Sequence, residues 1–176
     1  MRYHNITKCD MLNGDGIRVV LWVSGCKLHC PGCHNPQTWA FNSGIKFGEQ
    51  DKEELFDALN RSYVKGLTLS GGNPLDSYEE ILDLTKEVRE RYPEKDIWLY
   101  SGYEMDELKH SYSEILDYVD VVVDGPYKAE LRDVELHWRG SSNQNVYRKK
   151  NNNWIIKEDD YGCKVCKIEG HCGCSD

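Results

Sequence analysis

The chain has no hydrophobic run long enough to cross a bilayer. Its longest apolar stretch, Val19-Val20-Leu21-Trp22-Val23, falls far short of the roughly 20 residues that a membrane helix needs. No apolar block follows Met1-Arg2-Tyr3-His4-Asn5, so the start does not read as a secretory signal. Positive charge is also in deficit, with 22 basic against 30 acidic residues and a formal net charge of −8. That balance argues against direct binding to nucleic acid or to an anionic membrane. No repeat of solenoid length is visible. These absences point to a cytoplasmic protein, and 176 residues with 39% hydrophobic content suit a single core domain.

Cysteine, by contrast, is abundant. The chain has eight, which in a cytoplasmic protein of this length reads as metal ligation or redox chemistry before disulfides. They are also unevenly placed. Cys26, Cys30 and Cys33 crowd one short stretch, and Cys163, Cys166, Cys172 and Cys174 crowd another. Cys9 stands alone and reads as a small, partly buried apolar residue.

Between these groups, strand and helix patterns alternate. Ile17 to Val23 is rich in β-branched residues and runs into Ser24-Gly25-Cys26, as a buried strand feeding a loop. Gly66 to Leu69, Ile97 to Tyr100 and Val121 to Val123 are further strands, ending at Ser70-Gly71-Gly72, Ser101-Gly102 and Asp124-Gly125-Pro126. Helices are expected over about Asp51 to Arg61, from Ser77 to Tyr92, and from Met105 to Tyr118. Ser77 and Glu80 have the spacing of a capping box. This order predicts an α/β fold with a parallel sheet, either open or a partial (β/α) barrel with outer helices. All the strand ends named above then gather on one edge, where α/β folds bind ligands. Residues 1–150 form the expected core domain. Residues 151–176 form a cysteine-rich tail with too few apolar residues for its own core.

The first cysteine group has the spacing Cys26-x3-Cys30-x2-Cys33 on a loop leaving a strand. Three thiolates so placed can hold three corners of an iron–sulfur cluster. A missing fourth ligand leaves an iron open for a substrate, as catalytic metal sites require. Spacing alone also permits zinc, with His29 or His34 as a fourth ligand. The context favours the cluster, because the loop ends a buried strand and faces Gly71-Gly72, where an absent Cβ lets main chain approach a ligand.

Cys-x3-Cys-x2-Cys after one strand and Gly-Gly after the next resemble the radical S-adenosylmethionine superfamily. Asn13-Gly14-Asp15-Gly16-Ile17-Arg18, Cys30-Pro31-Gly32-Cys33-His34-Asn35 and Trp39 are similar to its glycyl-radical-enzyme activases. Ser70-Gly71-Gly72-Asn73-Pro74-Leu75, Asp96 to Tyr103, Val123-Asp124-Gly125 and Trp138 to Gln144 resemble the branch serving anaerobic ribonucleoside-triphosphate reductase. The resemblance spans about residues 1–147. It implies a [4Fe–4S] cluster on Cys26, Cys30 and Cys33 and reductive cleavage of S-adenosylmethionine. It also implies two partners, the large glycyl-radical subunit of the reductase and a flavodoxin-type electron donor. Gly32, Cys33 and His34 would line the S-adenosylmethionine site through main chain, and Gly71, Gly72 and Asn73 its methionyl end. Ser101 and Gly102 would add contacts. Arg139 to Gln144 reads equally as a partner-facing loop or as a polar turn on the sheet.

Three positions depart from common patterns. Asn73 replaces a usual carboxylate, leaving an amide to accept from the substrate ammonium. Asp15 replaces a frequent proline, which loosens its turn. Gly32 stands where many superfamily members have an aromatic, in agreement with the reductase branch. Two other functions compete, an activase for a different glycyl-radical enzyme and a zinc-stabilised interaction protein. In the tail, Cys163-x2-Cys166-x5-Cys172-x-Cys174 with His171 suggests zinc first, then a segment with no fixed ligand, then an auxiliary cluster or a dithiol relay.

Overall fold

The computed structural model describes residues 1–156. The four tail cysteines and His171 therefore lie outside the described residues. The remainder is an α/β fold with one mixed eight-stranded sheet, ordered β3-β1-β2-β4-β5-β6-β7-β8. Four central strands are parallel to one another: β2 (Arg18–Val23), β4 (Gly66–Gly71), β5 (Asp96–Tyr100) and β6 (Val121–Asp124). These match the four strands expected from the sequence. Being covered on both faces, they are buried almost throughout, as parallel strands usually are.

The expectation of a sheet built only of parallel strands needs correction. β1 (Arg2–Asp10) pairs antiparallel with β2 and with β3 (Ile45–Lys46). On the other flank β7 (Asn145–Lys150) pairs antiparallel with β6, and β8 (Asn153–Ile156) with β7. No pairing joins the two outer strands among the described residues. The physical reason is connection length. β7 and β8 are joined by Asn151 and Asn152, both at positive φ, and so short a turn can only reverse the chain. The core sheet thus continues to Ile156.

Helices α1 (Glu49–Leu59), α2 (Tyr78–Arg91) and α3 (Met105–Ser111) cover one face. Leu55, Leu59, Ile81, Leu84, Val88 and Leu108 pack there on Val19, Leu21, Leu67, Leu69, Ile97, Leu99 and Val122 in one apolar cluster. The strand residues follow the two-residue period that sends alternate side chains to one face. The other face carries Trp98, Val121, Val123 and Val146, with Tyr100 and Trp138 against them.

Two local expectations also change. Ser77 makes no side-chain cap at α2. The chain enters that helix from a 3-10 turn at Pro74–Ser77, and Glu80 pairs with the amino group of Met1. The third helix ends at Ser111, where Tyr112 leaves helical geometry, and a 3-10 turn continues over Ser113–Asp117. Its start is capped from outside, because the Met105 N–H donates to the Asp124 carboxylate at 2.9 Å. No helix among the described residues is long and apolar enough to cross a membrane.

Candidate functional site

The cysteine loop leaves β2 at its C-terminal end and is closed at its base by two main-chain bonds. Gly25 N–H donates to Thr38 O at 2.7 Å and Cys26 N–H to Trp39 O at 3.0 Å. Within the loop Gly25, His29 and Gly32 have positive φ, so the chain curls tightly. The His29 ring stacks on Trp39, with centroids 4.8 Å apart. Cys33 N–H donates back to Cys30 O at 3.1 Å.

All three thiols open onto one cavity of about 680 Å³. The same cavity is lined by His34, Gly71, Gly72, Asn73, Ser101 and Gly102. Nine of the ten core-domain candidates are therefore brought together. Gly32 is the exception; it does not line the cavity and faces Ala129 and Tyr127.

The glycine pair lines the cavity and also permits a close main-chain contact. A Cβ on Gly71, whose φ is 109°, would lie 2.5 Å from Val23 N. One on Gly72 would lie 2.3 Å from Gly25 O. Both spaces are filled by main chain, which lets β4 and the base of the cysteine loop approach closely. Two bonds exploit that approach, Gly72 N–H to Val23 O and Asn73 N–H to Gly25 O, each 2.8 Å.

Asn73 is almost fully buried, 2% exposed. Its Oδ1 accepts a long bond from Gly102 N–H at 3.4 Å, and its Nδ2 has no hydrogen-bond partner among the described residues. Turning the amide over would set donor against donor at Gly102, so the free group is Nδ2. A buried amide donor without a partner costs free energy, and here it stands in a cavity wall.

Burial pushes the Cys26 and Cys30 thiols up. Main-chain groups at Leu28 and His29 oppose this at Cys26, and at Tyr127 for Cys30. Asn35 N–H donates to Cys33 Sγ at 3.4 Å. Hydrogen bonds to sulfur are a principal means by which proteins tune iron–sulfur centres. Among the described residues no three Cys, His, Asp or Glu side chains gather as a set for one metal ion. Thiols spread around one cavity, each near main-chain N–H groups, fit a polynuclear centre with separate iron corners.

Several lining residues had no assigned role in the sequence reading. Trp22, Ser70 and Tyr100 face the cavity from β2, β4 and β5. Their signal is strand alternation, since each occupies the face opposite to Leu21, Leu69 and Leu99. Residues 126–144 form the remaining wall, with Tyr127, Arg132, Leu136, Trp138, Arg139 and Gln144 on the cavity. The polar residues of that segment largely fasten it. Gln144 accepts from Gly140 N–H at 3.0 Å and donates to Gly125 O at 3.0 Å. Asn143 donates to Pro126 O at 2.8 Å, and Ser141 is fully buried.

At the opposite end of β2, Arg18 is buried in the sheet and does not line the cavity. Its guanidinium is wholly buried and lies 2.6 Å from the Asp96 carboxylate. It donates to Thr68 Oγ1 at 2.7 Å and to Leu67 O at 2.8 Å, beside the Trp98 ring at 5.1 Å. Burial lowers its pKa, against the raising influence of Asp96. Asp15, where a proline is frequent, pairs with Lys65 at 2.5 Å and ties its turn to β4.

Thiols on a tight loop at the C-terminal edge of parallel strands, beside a roomy cavity, fit the class of α/β iron–sulfur proteins. The family described as a 4Fe-4S single cluster domain matches residues 12–147. A protein of Enterobacteria phage T4 is 45% identical over 156 residues, covering 88% of this chain and 98% of its own. One from Escherichia coli (strain K12) is 42% identical over 151 residues, covering 84% and 98%. One from Haemophilus influenzae is 40% identical over 154 residues, covering 85% and 99%. All three are named anaerobic ribonucleoside-triphosphate reductase-activating protein, and the chain belongs to this family.

Proposed function

We propose that the chain activates anaerobic ribonucleoside-triphosphate reductase by generating a glycyl radical in its large subunit. The observation that carries this reading is the shared cavity of Cys26, Cys30 and Cys33 with Gly71, Gly72 and Asn73 at the strand ends. When bound, a [4Fe–4S] cluster and S-adenosylmethionine supply one-electron cleavage of the sulfonium, which yields the radical that takes a hydrogen atom from the target glycine.

The protein's own residues hold, orient and shield. Cys26, Cys30 and Cys33 would hold the cluster, and their loop offers it no fourth cysteine. Main-chain N–H groups beside the sulfurs stabilise thiolate charge. Asn73, whose Nδ2 has no partner among the described residues, would offer the methionyl end an amide donor and a remaining Oδ1 lone pair. It therefore binds the ligand without adding charge. Cys33, His34, Gly71 and Gly72 bound the same end, with Ser101 and Gly102 as further contacts, while Gly32 acts by turning the loop. Trp22, Tyr100 and Trp138 displace water from the cavity, which protects a reactive radical.

On this reading the parallel block β2-β4-β5-β6 with its helices is the catalytic part of a partial barrel of the radical S-adenosylmethionine type. The sheet that carries the chemistry runs to Ile156, and Cys163, Cys166, Cys172 and Cys174, outside the described residues, would hold zinc. The electron donor is a small one-electron carrier of the flavodoxin type. The test combines reduced protein, S-adenosylmethionine and the reductase without oxygen, followed by electron paramagnetic resonance. A glycyl doublet that requires all three components is the expected result. Methionine release with no protein radical would reject the partner.

A further inference from the structure

One carboxylate beside the cysteine loop lies outside the cavity lining. Asp76 lies in the 3-10 turn before α2, and its side chain has no exposed surface. It accepts a hydrogen bond from the main-chain N–H of Lys27 at 2.9 Å and another from the Tyr103 hydroxyl at 2.7 Å. Lys27 directly follows Cys26. Its ammonium reaches Asp76 only at 3.6 Å from a side chain that is 67% exposed, so solvent screens much of that attraction.

Tyr103 is itself firmly placed. Its ring stacks on Tyr112 with centroids 5.6 Å apart. Its N–H donates to Ser101 Oγ at 3.0 Å, and its carbonyl accepts from Gly125 N–H at 3.0 Å. Asp76 thus links the residue after the first thiol to the ends of β5 and β6. A neutral amide could make both bonds, because a tyrosine hydroxyl accepts as readily as it donates. A carboxylate there instead buries a charge whose one nearby cation is the largely exposed Lys27 ammonium at 3.6 Å, a solvent-screened partner.

We propose that Asp76 is a positioning residue for the iron–sulfur centre. It fixes Cys26 through the Lys27 main chain, and its charge makes the centre harder to reduce and hence a stronger one-electron donor. A negative charge near a centre that gains an electron opposes that gain, most strongly where water is excluded. The inference rests on the assignment of the cluster to Cys26, Cys30 and Cys33.

The test uses the full chain, loaded with iron and sulfide without oxygen, in wild-type, D76N, D76E and Y103F forms. Redox titration followed by electron paramagnetic resonance of the reduced centre gives the midpoint potential. D76N should raise the reduced-to-oxidised ratio at fixed potential about tenfold, equivalent to about 59 mV for one electron. D76E should restore the wild-type value, and Y103F, which keeps the charge, should not move it upward. A loaded D76N with the wild-type potential, or a Y103F shift as large as that of D76N, would overturn the electrostatic role. Alkylation of Cys26 by iodoacetamide in cluster-free protein reads positioning when D76A is compared with D76N, since both lack the charge and only the amide can keep the bond to Lys27 N–H. D76A should react several-fold faster than D76N, and equal rates would overturn that role. Wild-type protein that takes up no cluster would instead overturn the assignment beneath.

Discussion

The two faces of the central sheet solve different problems with the same four strands. One face meets three helices through Leu, Ile and Val, and every strand side chain named in that cluster is buried. The other meets a fastened loop and a cavity, and carries Arg18, Trp22, Thr68, Ser70, Trp98 and Tyr100. Unsatisfied polar groups collect on the second face or at its edge, including Trp98 Nε1 and Asn73 Nδ2. Apolar packing is thus concentrated on the helix side, and the unmet Asn73 donor stands where a ligand would bind.

That contrast can be broken from either side. The largest effect is expected on the cavity side and concerns activity. C30S should abolish iron–sulfur loading and radical formation while the melting temperature of cluster-free protein moves by less than about 2 °C. Iron analysis and scanning calorimetry check both halves. On the helix side L69A deletes a wholly buried side chain and should cost about 2–5 kcal/mol of stability. Its neighbour S70A, a smaller change on the cavity face, should cost under about 1 kcal/mol. Urea unfolding of the pair measures the asymmetry directly, and equal losses would erase it.

G72A tests the junction between the faces. Its Cβ would meet Gly25 O at 2.3 Å, so the base of the cysteine loop must shift. A loss of about 1–3 kcal/mol should accompany slower cluster uptake, followed by absorbance. The smallest effect is a pH dependence on the helix side. Burial, then the hydrogen bond to Asp51, pushes the Tyr3 hydroxyl up to about 12 from about 10 unfolded. Stabilisation from this group is complete below pH 10 and is lost as pH rises toward 12. Between those values wild-type protein should lose roughly 1–2 kcal/mol more than Y3F, as read by urea unfolding across that range.

The parallel strands and the cysteine loop were legible because their signals are local. Unbroken apolar runs mark doubly covered strands, and three cysteines in eight residues leave few alternatives. β1 was missed because its alternation is broken. Register shifts fall between Tyr3 and Asn5 and between Thr7 and Asp10, so Tyr3 and Ile6 turn inward without a two-residue rhythm. Wherever distant groups do the capping, nearby sequence misleads. The start of α3 depends on Asp124 from β6, and Glu80 turns to Met1 instead of completing a capping box. The glycine pair was legible as part of the cavity wall, but its packing against Val23 and Gly25 was not, because main-chain contact across β2 and β4 is invisible in one dimension. Asp76 was overlooked altogether. A lone aspartate in a turn carries no motif, and its partners Lys27 and Tyr103 are far from it in sequence.

The central claim is that Cys26, Cys30 and Cys33 hold a cluster with one iron left for S-adenosylmethionine. Pulsed electron–nuclear double resonance on reduced, anaerobically loaded protein with S-adenosylmethionine labelled at the methionyl nitrogen and carboxylate oxygen tests it directly. The account predicts hyperfine coupling of both labels to the cluster. Absence of coupling with a fourth side chain on that iron, or a single zinc bound in place of iron and sulfide, would contradict it.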